Sequence, residues 1–441
     1  MRKIVLSLII LLFVSIGFIC ASEEKEPMQV DLEKCIQIAL DKNNTVKIAE
    51  SKVRENLYRV RKTQAPLFPQ ISFDSSYIRT EPVTELIIAN NKFRVGEENN
   101  YDLKASLSQL IYSFGKMENA IAAAKLNEAS SRFDKEATVN NLILNVKTAY
   151  FNVLYAEDYL KVSQDSVSVS KRHLKTAQDF FAEGTVARYD VLRMETRLSE
   201  SQKYLIKAGN SIELAKNILK NVMNIDYEIP LEIAYKHDEV TLVELPFTEE
   251  ELIKIGLKNR PEAKQTQVAI GIAQKLIGVA SCSNNPDLYV FYNYDWKNPT
   301  GVTLQESWNA TAALSIPIFD GFAAFNKTKE AEENLKQIEA SVDDVINNIV
   351  LDIRQAYLNF NEAAAVVDTA KKALVQAKEA LSIADVRYDA GMSTATELAD
   401  AQLAYDTANI SYSKAIFDYK VSVAALERAV GKIDLTNAGV Q

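Results

Sequence analysis

Two hydrophobic periods divide this chain. Between positions 116 and 181 there is neither Gly nor Pro, and Val139, Val146, Val153, Leu160, Val167, Leu174 and Phe181 recur every seventh residue. Three places after each of the first six stand Leu142, Ala149, Ala156, Ser163, Ser170 and Ala177. A second run repeats the design: Ile346, Ile353, Phe360, Val367, Leu374, Leu381 and Tyr388, partnered by Ile349, Ala356, Ala363, Ala370, Ala377 and Ala384. An a/d heptad with small residues in the d row predicts long helices whose backbones approach closely. At ~1.5 Å per residue, ~65 to 70 residues give a helix of roughly 100 Å. Each run ends at a glycine, Gly184 or Gly391, where only Gly takes φ > 0 without a steric penalty and two helices can reverse. The heptad then resumes as Leu198, Leu205, Ile212 and Leu219, and as Leu398, Tyr405, Tyr412, Tyr419 and Leu426.

Elsewhere the period is two. Ile71, Phe73, Ser75 and Tyr77 alternate with Ser72, Asp74 and Ser76, and Tyr101, Leu103, Ala105 and Leu107 with Asp102, Lys104, Ser106 and Ser108. Leu288, Val290, Tyr292, Tyr294 and Trp296 form one face of a third segment. Trp308, Ala310, Ala312, Leu314 and Ile316 do so in a fourth. Alternation predicts strands with one apolar and one polar face. Polar loops, 79–100 and 297–307, join them into two hairpins.

These segments are one unit written twice. The two glycines are 391 − 184 = 207 residues apart, and Ala149-Tyr150 matches Ala356-Tyr357 at the same offset, 356 − 149 = 207. Nearer the start Ile38-Ala39-Leu40 pairs with Ile255-Gly256-Leu257 at 255 − 38 = 217. The first copy is expected over 23–224, with strands near 69–79 and 100–111 and helices near 31–64, 113–182 and 187–224. The second is expected over 248–431, with strands near 287–296 and 307–318 and helices near 249–282, 320–389 and 394–430. Asp31 and Thr248 are the expected N-caps of the opening helices. Residues 225–247 read as a linker and 432–441 as an irregular tail.

Composition narrows the chemistry. Residues 1–22 have the charged start, apolar stretch and small-residue end of a secretory signal peptide. Ile19 stands where a lipobox has a small residue, so Cys20 is read as unlipidated. Cys35 and Cys282 are expected as free thiols. The net charge of −9 argues against nucleic acid. His173 and His237, the two histidines, read as exposed polar residues. No metal-ligand cluster, cofactor motif or nucleophile with a base appears, so an enzyme is not expected.

Four strands cannot close a barrel, since small closed barrels start at about eight. An open ribbon would expose both edges and an apolar face. Three copies supply 3 × 4 = 12 strands, and Tyr77, Tyr101, Trp296 and Trp308 at the strand ends fit aromatic girdles. The stretches Leu107-Ser108-Gln109-Leu110-Ile111-Tyr112, Leu314-Ser315-Ile316-Pro317-Ile318-Phe319-Asp320-Gly321 and Ala425-Leu426-Glu427-Arg428-Ala429-Val430-Gly431 resemble the TolC family of outer-membrane efflux proteins. The resemblance implies a mostly α homotrimer with a small β part: a 12-stranded outer-membrane β-barrel continued by a periplasmic α-helical barrel. It implies a passive exit duct of a tripartite efflux or secretion system. Its expected partners are outer-membrane lipid, a periplasmic adaptor and an inner-membrane transporter of RND, ABC or MFS type.

The resemblance also places a site. It implies that the tip turns, Gly184, Thr185, Gly391 and Met392, dock the adaptor. Asp190 and Tyr388 fall where the family's closed state is held, and Glu397 and Asp400 where its entrance acids lie. Ser393 stands where the best-studied member has a basic residue, with Arg387 or Arg188 as possible substitutes. Independently of the family, Glu397 and Asp400 are i, i+3 and share a helix face, so a trimer makes each a ring of three carboxylates that attracts cations. The alternative is a periplasmic coiled-coil adaptor or structural protein, which would lack paired alternating strands.

Overall fold

The computed structural model describes residues 28–89, 91–94, 96–234, 242, 245–297 and 305–431. The expected signal peptide, the tail and His237 lie outside them. The first copy opens with β1 (Met28–Val30), α1 (Leu32–Lys42) and α2 (Asn44–Gln64). The second opens with α5 (Glu249–Asn259) and α6 (Pro261–Ser281). The single helices expected over 31–64 and 249–282 are therefore each two. Asn43 and Arg260, with ψ 133° at both, break them at equivalent positions, 260 − 43 = 217. Pro261 disfavours α geometry at Arg260. Asn43 does the same by capping: its Oδ1 accepts from the Thr45 N–H at 2.8 Å and its Nδ2 donates to the Val222 carbonyl at 2.7 Å. Asp31 and Thr248 cap the opening helices through the Lys34 and Glu251 N–H groups.

Four strands form the main sheet: β2 (Gln70–Arg79), β5 (Asn99–Tyr112), β7 (Asp287–Lys297) and β8 (Gln305–Ser315), antiparallel and in that order. The registers Phe73↔Ala105, Ala105↔Tyr294 and Tyr294↔Trp308 place all four apolar rows on one continuous face. The other face carries serines, Asn293 and charged residues, Asp74, Lys104 and Asp295 among them, and toward the helical end Leu110, Tyr289 and Phe291. β8 ends at Ser315 rather than 318, because Pro317 cannot donate to a ladder. The loop expected at 79–100 carries its own hairpin, β3 (Glu85–Ile88) with β4 (Asn91–Arg94). The expected linker contributes β6 (Leu231–Ile233), which pairs in parallel with β1.

Sheet and long helices meet at a tight junction. In the second copy Asp320 accepts from the Ala323 and Ala324 N–H groups, which holds its carboxyl below the usual range. Gly321 and Phe322, both at φ +67°, turn the chain into α7 (Ala323–Asp389). Its counterpart, α3 (Lys116–Ala182), is the same 67 residues long. α4 (Arg188–Met223) and α8 (Ala395–Val430) return antiparallel to them, so each copy is a long helical hairpin. Val146, Ala149, Val153 and Ala156 are buried against Ile212, Ala215 and Leu219 in the first hairpin, and Ile353 and Phe360 against Tyr419 and Leu426 in the second. Among the described residues no helix is long and apolar enough to cross a membrane. Cys35 and Cys282 are free.

Candidate functional site: the glycine turns and the seam behind them

Both turns close in the same way. Gly184 has φ +76° and Gly391 φ +69°. The residue after each donates to the carbonyl five places back, Thr185 to Phe180 at 3.0 Å and Met392 to Arg387 at 2.8 Å. This six-to-one bond satisfies carbonyls that the helix end leaves orphaned. Thr185 and Met392 themselves are exposed. Thr394 then caps α8, accepting from the Glu397 N–H at 3.2 Å, and Asp190 caps α4, its Oδ2 accepting from the Ala187 N–H at 3.2 Å.

Behind the turns the two hairpins share a small apolar core. Ala177, Val191, Met194, Tyr388, Ala395 and Leu398 are buried there together. Tyr388 is 2% exposed and its ring lies 5.8 Å from that of Phe180. Its hydroxyl is buried without a hydrogen-bond partner, so the chain alone makes no Tyr388–Asp190 bond. Burial, and after it the carboxylates of Asp190 and Asp389, push the phenol above its ordinary range. The proposed substitutes for a basic residue at Ser393 are engaged elsewhere. Arg387 donates to the Met392 carbonyl at 3.2 Å, and Arg188 lies over the Phe181 ring, 6.0 Å from its centroid. Glu397 is exposed. Asp400 is also exposed but has a counter-ion, Arg193 Nη2 on α4, at 3.5 Å.

Deeper along the seam lies a polar cluster that the heptad reading missed. Asp406 Oδ2 accepts from Arg197 Nη2 and from Ser166 Oγ, each at 2.7 Å, and its Oδ1 accepts from Gln402 Nε2 at 2.7 Å. Ser170 and Ser201 pair beside it at 2.8 Å. Burial pushes the Asp406 carboxyl up, against the opposing pull of these donors. One turn on, His173 is buried rather than exposed. Its Nε2 lies 2.8 Å from Asp385 Oδ1, and Arg172 Nη2 is 2.9 Å from Asp385 Oδ2. Burial holds the imidazole below its usual range, above all other influences on it. A cavity of about 90 Å³ separates the two groups, lined by Ser166, Arg172, Asp385, Gln402 and Asp406 among others. Among the described residues no three His, Cys, Asp or Glu side chains group as a metal site would need.

The cluster's signal in the sequence was polar residues on the buried face: Ser163 and Ser170 in the d row, Ser166 next to the a-row Val167, and Ser201 three places after Leu198. Its charged partners could not be found from spacing, since Arg197 and Asp406 lie 406 − 197 = 209 residues apart.

Comparison with known proteins follows the same geometry. The outer membrane efflux protein profile matches residues 35–224 and 252–432, one match to each copy. Outer membrane protein TolC of Vibrio cholerae is 24% identical over 319 residues, 71% of this chain and 72% of that protein. Outer membrane protein TolC of Escherichia coli is 22% identical over 393 residues, 85% of this chain and 77% of that protein. A crystal structure of CusC, described for the changes that accompany folding and transmembrane channel formation, shares the fold with a TM-score of 0.79 at 18% identity, over 91% of this chain and 92% of that one.

Proposed function

This chain belongs to the outer membrane efflux protein family, and on that premise we propose that it is the outer-membrane exit duct of a tripartite efflux or secretion system. Three copies join their sheets into one 12-stranded barrel, and their hairpins continue it as an α-helical barrel through the periplasm. An inner-membrane transporter supplies the energy, and a periplasmic adaptor docks on the turns at Gly184, Thr185, Gly391 and Met392. Asp190, Tyr388, Glu397 and Asp400 form the aperture just inside.

The observation that carries this reading is the sheet. Its apolar face is open to solvent, with Ile71 77% exposed and Trp308 66% exposed, and β2 and β8 end it with no further strand partner among the described residues. β2, β7 and β8, of 10, 11 and 11 residues, match the ~9–11 that a tilted strand needs to cross a bilayer, and β5, of 14, exceeds it. α7 carries a further set of exposed apolar residues, Leu351, Leu358, Val375 and Val386, suited to a neighbouring copy. Outer-membrane fractionation with chemical crosslinking tests it: a trimer in the outer membrane is expected, and a soluble monomer sinks the proposal.

A further inference from the structure

The repeat offset gives the tip a second reading. Counting back from the two entrance acids gives 397 − 207 = 190 and 400 − 207 = 193. Position 190 is Asp, so the first level is acidic in both copies. Position 193 is Arg, so the second level is acidic in one copy and basic in the other. These two equivalent residues face each other at 3.5 Å across the groove between α4 and α8. The groove, about 450 Å³, is lined by Arg193 and Asp400 together with Tyr189, Leu192, Glu200 and Leu403. The same polarity recurs along the seam, where Arg172 meets Asp385 at 2.9 Å and Arg197 meets Asp406 at 2.7 Å. In all three pairs the cation belongs to the first copy and the carboxylate to the second.

We infer that Arg193 tunes the ion preference of the tip by neutralising Asp400, so that this second level carries alternating Arg193 and Asp400 side chains instead of a ring of carboxylates and the first level alone stays acidic. The inference rests on the trimeric duct reading, in which three chains bring three of each to one level. Three bare carboxylates in a narrow mouth would concentrate cations. Three close pairs of opposite sign present only dipoles, whose field fades within a few ångströms of the wall. The Arg193 side chain is 38% exposed, so its replacement leaves the apolar core of the tip intact.

The test is the reversal potential of purified protein in planar bilayers under a potassium chloride gradient, for wild type, Arg193→Gln, Asp400→Asn and the double variant. Arg193→Gln is expected to raise potassium-over-chloride preference by about twofold or more at low salt. Asp400→Asn shifts preference toward chloride. The double variant returns to wild type, because both members of the pair are then neutral. At about 1 M salt, where the Debye length falls to ~3 Å, the difference between Arg193→Gln and wild type shrinks. Equal selectivity of wild type and Arg193→Gln overturns the inference alone, as does a double variant that fails to return. A wild-type protein that forms no pores removes the duct reading and this inference with it.

Discussion

A buried hydroxyl with no partner is worth about 1–3 kcal/mol in lost hydration, and Tyr388 carries one. Its ring, by contrast, is well used, packed among Phe180, Met194 and Leu398. The two parts of the side chain therefore separate by mutation. Tyr388→Ala should destabilise the tip by ~3–5 kcal/mol through the cavity it leaves. Tyr388→Phe should leave thermal stability unchanged or slightly raised if the hydroxyl is idle. A stability loss in Tyr388→Phe, or a rise in bilayer conductance, would instead place a hydrogen bond on that hydroxyl in the assembled protein, with Asp190 beside it. The heptad position of Tyr388 foretold its burial, since an a-row residue packs. The state of its hydroxyl was not legible, because it depends on what the opposite hairpin presents.

At the scale of the helix pair, the seam around Asp406 makes a claim about pH. Arg197 faces Asp406 from α4, Ser166 faces it from α3, and Gln402 stands one turn back on α8. Glu200 also approaches Arg197, at 3.7 Å, and Asp385 lines the adjoining cavity. Burial is the largest influence and raises the folded-state value of Asp406 above its unfolded one, so the folded chain holds that proton more tightly. The contribution of this group is then fully present below the unfolded value, ~3.9, and lost as pH rises through the folded one. Relative to Asp406→Asn, wild type should therefore gain thermal stability as pH falls from about 7 toward 4. Parallel melting curves for the two proteins would refute the shift. Asp406→Ala should be worse than Asp406→Asn at every pH, by about 1–3 kcal/mol, because Asn keeps an acceptor oxygen for Arg197 and Ser166 and Ala leaves both buried donors without it.

The same scale shows where a periodic reading stops. Heptads identify which face of a helix is buried, and the d row of α3 from Leu142 to Ala177 is indeed buried throughout. They do not say where a helix is interrupted when apolar spacing continues across the break. Pro261 was a written signal for one interruption. Asn43 was not, because its bond to the Val222 carbonyl joins residues 222 − 43 = 179 positions apart. Arg193 was legible all along: adding the repeat offset to it lands on Asp400.

At the scale of the molecule, one residue of register decides whether the sheet suits a bilayer. Successive side chains point to opposite faces, so a slip by one would turn the apolar rows of a strand to the face that holds Asp74, Lys104 and Asp295. The registers Ile71↔Leu107, Leu107↔Tyr292 and Tyr292↔Ala310 keep apolar residues opposite one another across all four strands, and Ser72↔Ser106 with Ser106↔Asn293 keep polar residues opposite one another on the other face. A soluble protein would cover such an apolar face with helices, and here it stays bare while the long helices run on from its end. If lipid covers it, the two faces must tolerate charge unequally. Lysine on the lipid face of a membrane barrel costs ~2–4 kcal/mol near mid-depth, whereas a lumen position accepts it. We therefore expect Phe73→Lys to deplete outer-membrane trimers, and Ser106→Lys, on the neighbouring strand but the opposite face, to leave their amount unchanged while altering ion preference. Trimer yield after membrane extraction, read by crosslinking, decides it. Equal yields from the two variants would mean that the apolar face meets something other than lipid, and the barrel reading would fall with that result.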